Sequence, residues 1–224
     1  MTPPPDTANP LARFAAAGLE KNRLEALTDG IMAVAMTLLV LDLKFDGSEN
    51  IVTDAHLIDH LLAIERTFTV YIVSFVVLGM YWIAHHLQFQ FIRRVDRGVL
   101  WINLAFMLLV TLVPFTTNVM MDYEQLVVPV VMFGVNQLLL SWALLLNINY
   151  VARRPALREE TLTPDVVRFI HRRLLVFSMV PLLSIVMAFF QPRAALYLYV
   201  LMFAVHLFPF ALDRAVSAGA PRDR

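Results

Sequence analysis

Six times along this chain a run of roughly twenty residues passes with almost no charge, long enough to cross a bilayer as a helix. In lipid, backbone N–H and C=O groups must be satisfied within the segment or by a closed barrel. Runs of this length and continuous apolarity select the helical solution, so the expected fold is an all-α membrane protein with six transmembrane helices. The runs lie at 24–43, 68–89, 99–118, 126–148, 174–190 and 194–212. The first, Leu24 to Leu43, spans ~30 Å at 1.5 Å per residue, the thickness of a hydrocarbon core.

Composition enters as support. Hydrophobic residues make up 59% and charged ones 16%, with a mean hydropathy of +0.67. A soluble domain carries more charge. The expected organisation is a cytoplasmic N-terminal segment at 1–22, a six-helix membrane domain at 23–212, and a cytoplasmic tail at 213–224. The first segment is Pro-rich to Pro10 and mildly amphipathic from Leu11 to Asn22, without the pattern of a removable signal peptide. The polar loop at 45–65 is expected to hold a short helix (DAHLIDHLLAIE), and the stretch from Ala152 to Arg173 reads as a basic loop.

Lys and Arg placement sets the orientation. With the N-terminus inside, 15 of the 18 basic residues are cytoplasmic, and Lys44, Arg66 and Arg193 are outside. Both termini are then cytoplasmic. The outer loops carry eight acids, Asp42, Asp46, Glu49, Asp54, Asp59, Glu65, Asp122 and Glu124. Such a surface concentrates cations at a pore mouth, although positive-inside insertion alone produces the same asymmetry.

Several function classes drop out. The chain has no cysteine and a formal net charge of zero, so nothing points to a disulfide framework, a thiolate site or nucleic-acid binding. No His-Glu-x-x-His, Gly-x-Ser-x-Gly, Walker or Rossmann pattern occurs, and the chain is not expected to be an enzyme.

The polar residues inside the spans need a role. Arg23, Thr28 and Asp29 sit near the cytoplasmic end of the first span. Trp82, His85 and His86 sit at the same depth in the second, and Asn103 in the third. These seven fit one polar layer bracing the helices, or a proton-sensing or relay group. Two adjacent His point ~100° apart on a helix, which makes the set a poor metal site. His56, Asp59 and His60 share one face of the loop helix, a spacing suited either to a divalent metal or to a solvated surface. Asn136, Gln137, Ser141 and His206 read as interhelical hydrogen-bonding groups. On the first helix Val34, Leu38 and Leu41 fall within ~60° of one another, with Thr37 beside them. That stripe suits a packing seam, or rings of aliphatic side chains that gate a pore by dewetting when several copies surround an axis.

Arg23-x-x-x-Leu27-Thr28-Asp29, followed by Ala33-Val34-x-x-Thr37-Leu38-Leu39-Val40-Leu41-Asp42, resembles the first-helix signature of the transmembrane protein 175 family. The family pattern is Arg-x-x-x-Phe-Ser-Asp, so Leu27 and Thr28 are conservative departures. Trp82-x-x-His85-His86, Asn103 and Pro114-Phe115 continue the likeness. The family comprises lysosomal and bacterial potassium-permeable channels. The resemblance implies a homotetramer with the first helices lining a central pore and no Thr-Val-Gly-Tyr-Gly filter. It implies a narrowest apolar ring at Val34, usually Ile or Leu there, further pore layers at Leu38 and Leu41, and a Thr layer at Thr37. Bracing of the first helix through the Arg/Asp motif and the second-helix His is also implied. The expected function is a modestly potassium-selective cation channel. Its partners are its own copies, the bilayer and monovalent cations, and it has no cofactor beyond potassium as permeant ion. The alternatives are a proton-coupled secondary transporter using Asp29 and His85, and a membrane scaffold without flux.

Overall fold

The computed structural model describes residues 20–43, 53–123, 125–195 and 197–199. Helix α1 runs Lys21–Leu38 and tightens into a 3₁₀ turn at Leu39–Asp42. Then come α2 (Asp54–Ala63), α3 (Glu65–Phe89), α4 (Arg97–Asp122), α5 (Val127–Ala152) and α6 (Pro164–Ala188). Among the described residues, five helices are long and apolar enough to cross a membrane: α1 with its 3₁₀ extension, and α3 to α6. At 26 residues, α4 and α5 reach ~39 Å, so their ends extend beyond a ~30 Å hydrocarbon core. Residues 192–195 and 197–199 are helical again, where the sixth run was expected to begin; the remainder of that run, with His206, lies outside the described residues.

Local chemistry sets the boundaries. The Asp96 carboxylate accepts from Val99 N–H at 2.9 Å to start α4, and Thr163 accepts from Val166 N–H to start α6, with Pro164 in its first turn. The second case corrects the sequence reading. The stretch Ala152 to Arg173 is not all loop, because α6 begins at Pro164 and carries Arg168, Arg172 and Arg173 on its first turns. Its charge density concealed a Thr-Pro-Asp helix start. Pro114 lies inside α4 without ending it, and the helix continues to Asp122.

Helix α5 is the most enclosed element, with half of its apolar window buried against 22–33% for the others. It packs chiefly on α4 and α6, while α1 lies against α4 and α3. The main core joins Met32, Ala35 and Leu39 of α1 to Leu78 and Tyr81 of α3, Phe106 and Val110 of α4, and Leu140 and Leu144 of α5. A second cluster, with Leu24, Phe89, Val99, Ile148 and Leu157, closes the end of the bundle nearest Lys21. There the α3–α4 and α5–α6 connections are pinned together: Arg93 N–H donates to Leu157 C=O at 2.7 Å, and Glu159 N–H to Phe91 C=O at 2.9 Å. Gly98 lets α4 approach α5 at this end, since a Cβ there would sit 1.9 Å from the Tyr150 hydroxyl oxygen.

Candidate functional site

Helix α1 has two faces, and the site is built from the difference between them. Leu24, Thr28, Met32, Ala35 and Leu39 recur at helical spacing and are buried against α3 and α4. The opposite stripe carries Leu27, Gly30, Val34, Leu38 and Leu41. Its large side chains are exposed, at 50% for Leu27, 57% for Val34, 43% for Leu38 and 70% for Leu41. Thr37, beside them, is also exposed, and its hydroxyl donates back to Val34 C=O at 2.8 Å. The stripe borders an apolar groove of about 370 Å³, lined by Ala26, Leu27, Gly30, Val34 and Leu38 of α1 and by Thr111 of α4.

The buried face is held by a directional hydrogen-bond chain. His85 Nε2 and Asn103 Oδ1 are 2.7 Å apart, Asn103 Nδ2 donates to Thr28 Oγ1 at 2.8 Å, and Thr28 Oγ1 donates to Leu24 C=O at 2.9 Å. An amide oxygen only accepts, so His85 carries its proton on Nε2 and donates. All three side chains are buried. The chain thus ties α3 to α4 and α4 to α1, and it ends on a backbone carbonyl. The His85 ring is stacked between Phe89, at 4.3 Å, and Phe106, at 5.1 Å.

A second link runs one residue further on. Trp82 Nε1–H donates to Asp29 Oδ1 at 2.8 Å, joining α3 to α1. His86 stacks on Trp82 with ring centres 5.8 Å apart. The structure therefore brings six of the seven expected layer residues together: Thr28, Asp29, Trp82, His85, His86 and Asn103. The Arg23 side chain is exposed and makes no hydrogen bond or ion pair among the described residues. His56, Asp59 and His60 are on α2, and among the described residues no group of three His, Cys, Asp or Glu side chains gathers to hold a metal ion.

Three buried polar residues of α3 were missed in the sequence. Ser74 Oγ accepts from Thr117 Oγ1 at 3.0 Å, Tyr81 donates to Gln137 C=O at 2.6 Å and lies 2.9 Å from Ser141 Oγ, and Gln88 Oε1 accepts from Asn147 Nδ2 at 3.2 Å. With His85 they form one stripe at steps of seven, four and three residues, which a helical projection of the second span would have revealed. Ser141 has the interhelical partner expected of it, whereas the amides of Asn136 and Gln137 are buried without one among the described residues.

An all-helical bundle whose helices have membrane-spanning length and an internal polar layer defines a multi-pass membrane protein. Its relatives narrow the class. A family model described as endosomal/lysosomal potassium channel TMEM175 matches residues 23–114, the stretch holding the polar layer and the two-faced helix. A potassium channel of Streptomyces collinus is 36% identical over 104 residues, 46% of this chain and 49% of that protein. The match thus spans about half of that relative. One from Chryseobacterium is 28% identical over 191 residues, 85% of this chain and 94% of that protein. A crystal structure of a lysosomal potassium-selective channel TMEM175 homologue from Chamaesiphon minutus superposes with a TM-score of 0.68, covering 90% of this chain and 99% of the other at 24% identity. Residues 23–114 thus match the TMEM175 family model, and the fold is that of the Chamaesiphon homologue.

Proposed function

We propose that this chain is the subunit of a homotetrameric, potassium-permeable channel in which α1 of each copy faces a central pore. One observation carries the reading: α1 leaves the stripe Val34, Leu38 and Leu41 uncovered while its opposite face is buried. A single helix cannot enclose a path, so the uncovered stripe calls for further copies around an axis. The three residues would then form aliphatic rings stacked over ~10 Å, and their closest approach would interrupt the water column. Thr37 offers hydroxyl oxygens between the upper and lower rings. Without carbonyl rings of the Thr-Val-Gly-Tyr-Gly kind, discrimination of potassium over sodium is modest. The positive-inside bias puts the Lys21 end of α1 in the cytoplasm of a bacterial cell.

In the polar layer, Thr28, Asn103 and His85 brace α1, with Trp82 and Asp29 as a second strut. The alternative of a proton-coupled exchanger relaying between Asp29 and His85 is disfavoured by geometry. Asp29 is bonded to Trp82 and His85 to Asn103, in separate chains. The test is purified protein in planar bilayers under a potassium gradient. The expected result is a current reversing near the potassium equilibrium potential, with Val34→Ala and Leu38→Asn raising conductance about twofold or more. Currents unchanged in both variants would remove α1 from the pore, and reversal that follows a proton gradient would favour the exchanger.

A further inference from the structure

Arg23 opens the first-helix motif, yet the structure separates it from the layer that the motif was expected to build. Asp29 is taken by the Trp82 indole, and the Arg23 side chain is exposed without a hydrogen bond or ion pair among the described residues. The reason is angular. Six residues of helix turn through ~240°, so Arg23 and Asp29 leave α1 on different sides. Arg23, Leu27, Gly30, Val34, Leu38 and Leu41 instead succeed one another at steps of four, three, four, four and three residues along one stripe. Arg23 lies eleven residues before Val34, ~16 Å along the axis, and ends the exposed face.

We propose that Arg23 forms a cationic ring at the cytoplasmic mouth of the pore and makes the channel rectify. The inference rests on the channel reading above. Four guanidinium groups at a water-filled entrance repel the permeant ion from the cytoplasmic side and leave the outer mouth untouched. With each charge ~8 Å from the ion in water, screened over a Debye length of ~8 Å, local potassium falls roughly threefold to fourfold. The other charges on this end of α1 modify that figure without cancelling it. Lys21, Glu25 and Asp29 project ~120–160° away from Arg23, whereas Glu20 is exposed one turn below and only ~60° round. Glu20 does not pair with Arg23 and weakens the ring's field, which brings the expected asymmetry to about twofold to fourfold.

The experiment is a current–voltage curve in symmetric potassium chloride. At ~0.15 M inward current should exceed outward by that factor, and at 1 M, where the Debye length is ~3 Å, the curve should straighten. Arg23→Gln should lose the asymmetry at low salt and Arg23→Lys should keep it. Because the chain has no cysteine, Arg23→Cys gives a single reactive thiol and a comparison within one folded channel. A positively charged methanethiosulfonate added from the cytoplasmic side should restore inward rectification, and a negatively charged one should reverse it. A conducting protein whose curve is the same in Arg23→Gln, and in Arg23→Cys with either reagent, overturns the ring and leaves the channel reading standing. A wild-type protein that passes no current overturns both.

Discussion

The bracing role of the polar layer can be tested at its middle member. Asn103→Ala removes the acceptor for the His85 Nε2–H and the donor to Thr28, two interhelical bonds of 2.7 and 2.8 Å. Bonds of this kind between membrane helices average about 0.6 kcal/mol each. Thr28 keeps its own bond to the Leu24 carbonyl, but the His85 N–H is left buried between two phenyl rings with no acceptor. Stranding a buried donor adds about 1–3 kcal/mol. The sum is about 2–4 kcal/mol, which for a chain of this size lowers the unfolding midpoint by about 5–15 °C. Trp82→Phe is the control, because it removes one bond at the exposed edge of the same layer, costs about 1 kcal/mol and shifts the midpoint by about 3 °C. Intrinsic-fluorescence melting of the purified protein in detergent, at one fixed protein concentration, reads both. The double variant His85→Phe, Asn103→Ala keeps the ring stacking and leaves no orphaned donor, so it should recover part of the loss. An Asn103→Ala midpoint within 2 °C of wild type, or a double variant no better than the single, would refute the claim that this chain carries the load.

Other perturbations follow from single contacts. Gly98→Ala places a methyl 1.9 Å from the Tyr150 hydroxyl oxygen, so Tyr150 must leave Asp96, whose carboxylate also caps α4. The expected cost is about 2 kcal/mol, visible as a lower melting midpoint and faster hydrogen exchange at the start of α4. Tyr81→Phe loses the 2.6 Å bond to Gln137 C=O but keeps the edge-on contact with Phe177, so it should destabilise by about 1 kcal/mol. Its conductance should match that of wild type, because Tyr81 is buried away from the α1 stripe. A changed unitary current in Tyr81→Phe would place that residue on the ion path.

What the sequence made legible follows from which forces act over short spans of chain. Hydropathy placed the cores of α1, α3, α4 and α5 within a few residues, because the demand for internal backbone bonding in lipid admits only one local solution. The start of α6 was misplaced because charge density outweighed a capping signal at Thr163-Pro164. The depth argument put Thr28, Asp29, Trp82, His85, His86 and Asn103 at one level of the bundle. It could not decide their pairing, since each has several partners at equal depth. The structure gives His85 to Asn103 and Asp29 to Trp82. Ser74, Tyr81 and Gln88 went unnoticed because Ser and Tyr are unremarkable in a membrane span one at a time. Only their common angle on α3 reveals a polar seam.

Arg23 and Asp29 also explain why a bilayer can keep two charged groups on one helix end. A shared ion pair would be one solution, since pairing offsets the cost of desolvation. On α1 the two residues instead escape that cost separately. Asp29 does so through an indole N–H at the bundle's edge, and Arg23 by staying at the exposed end of the helix. Their ~120° separation is built into the helix, so no rotation of α1 brings them together; rotation would instead carry Thr28 away from Asn103 and Val34 off the uncovered face. The rotation of α1 is therefore fixed by Thr28 and Asn103, and the outward direction of Arg23, Val34 and Leu41 is a consequence of that lock. A variant that frees the lock should accordingly disturb ion flow only by letting α1 rotate, and its effects on conductance and on melting should rise and fall together.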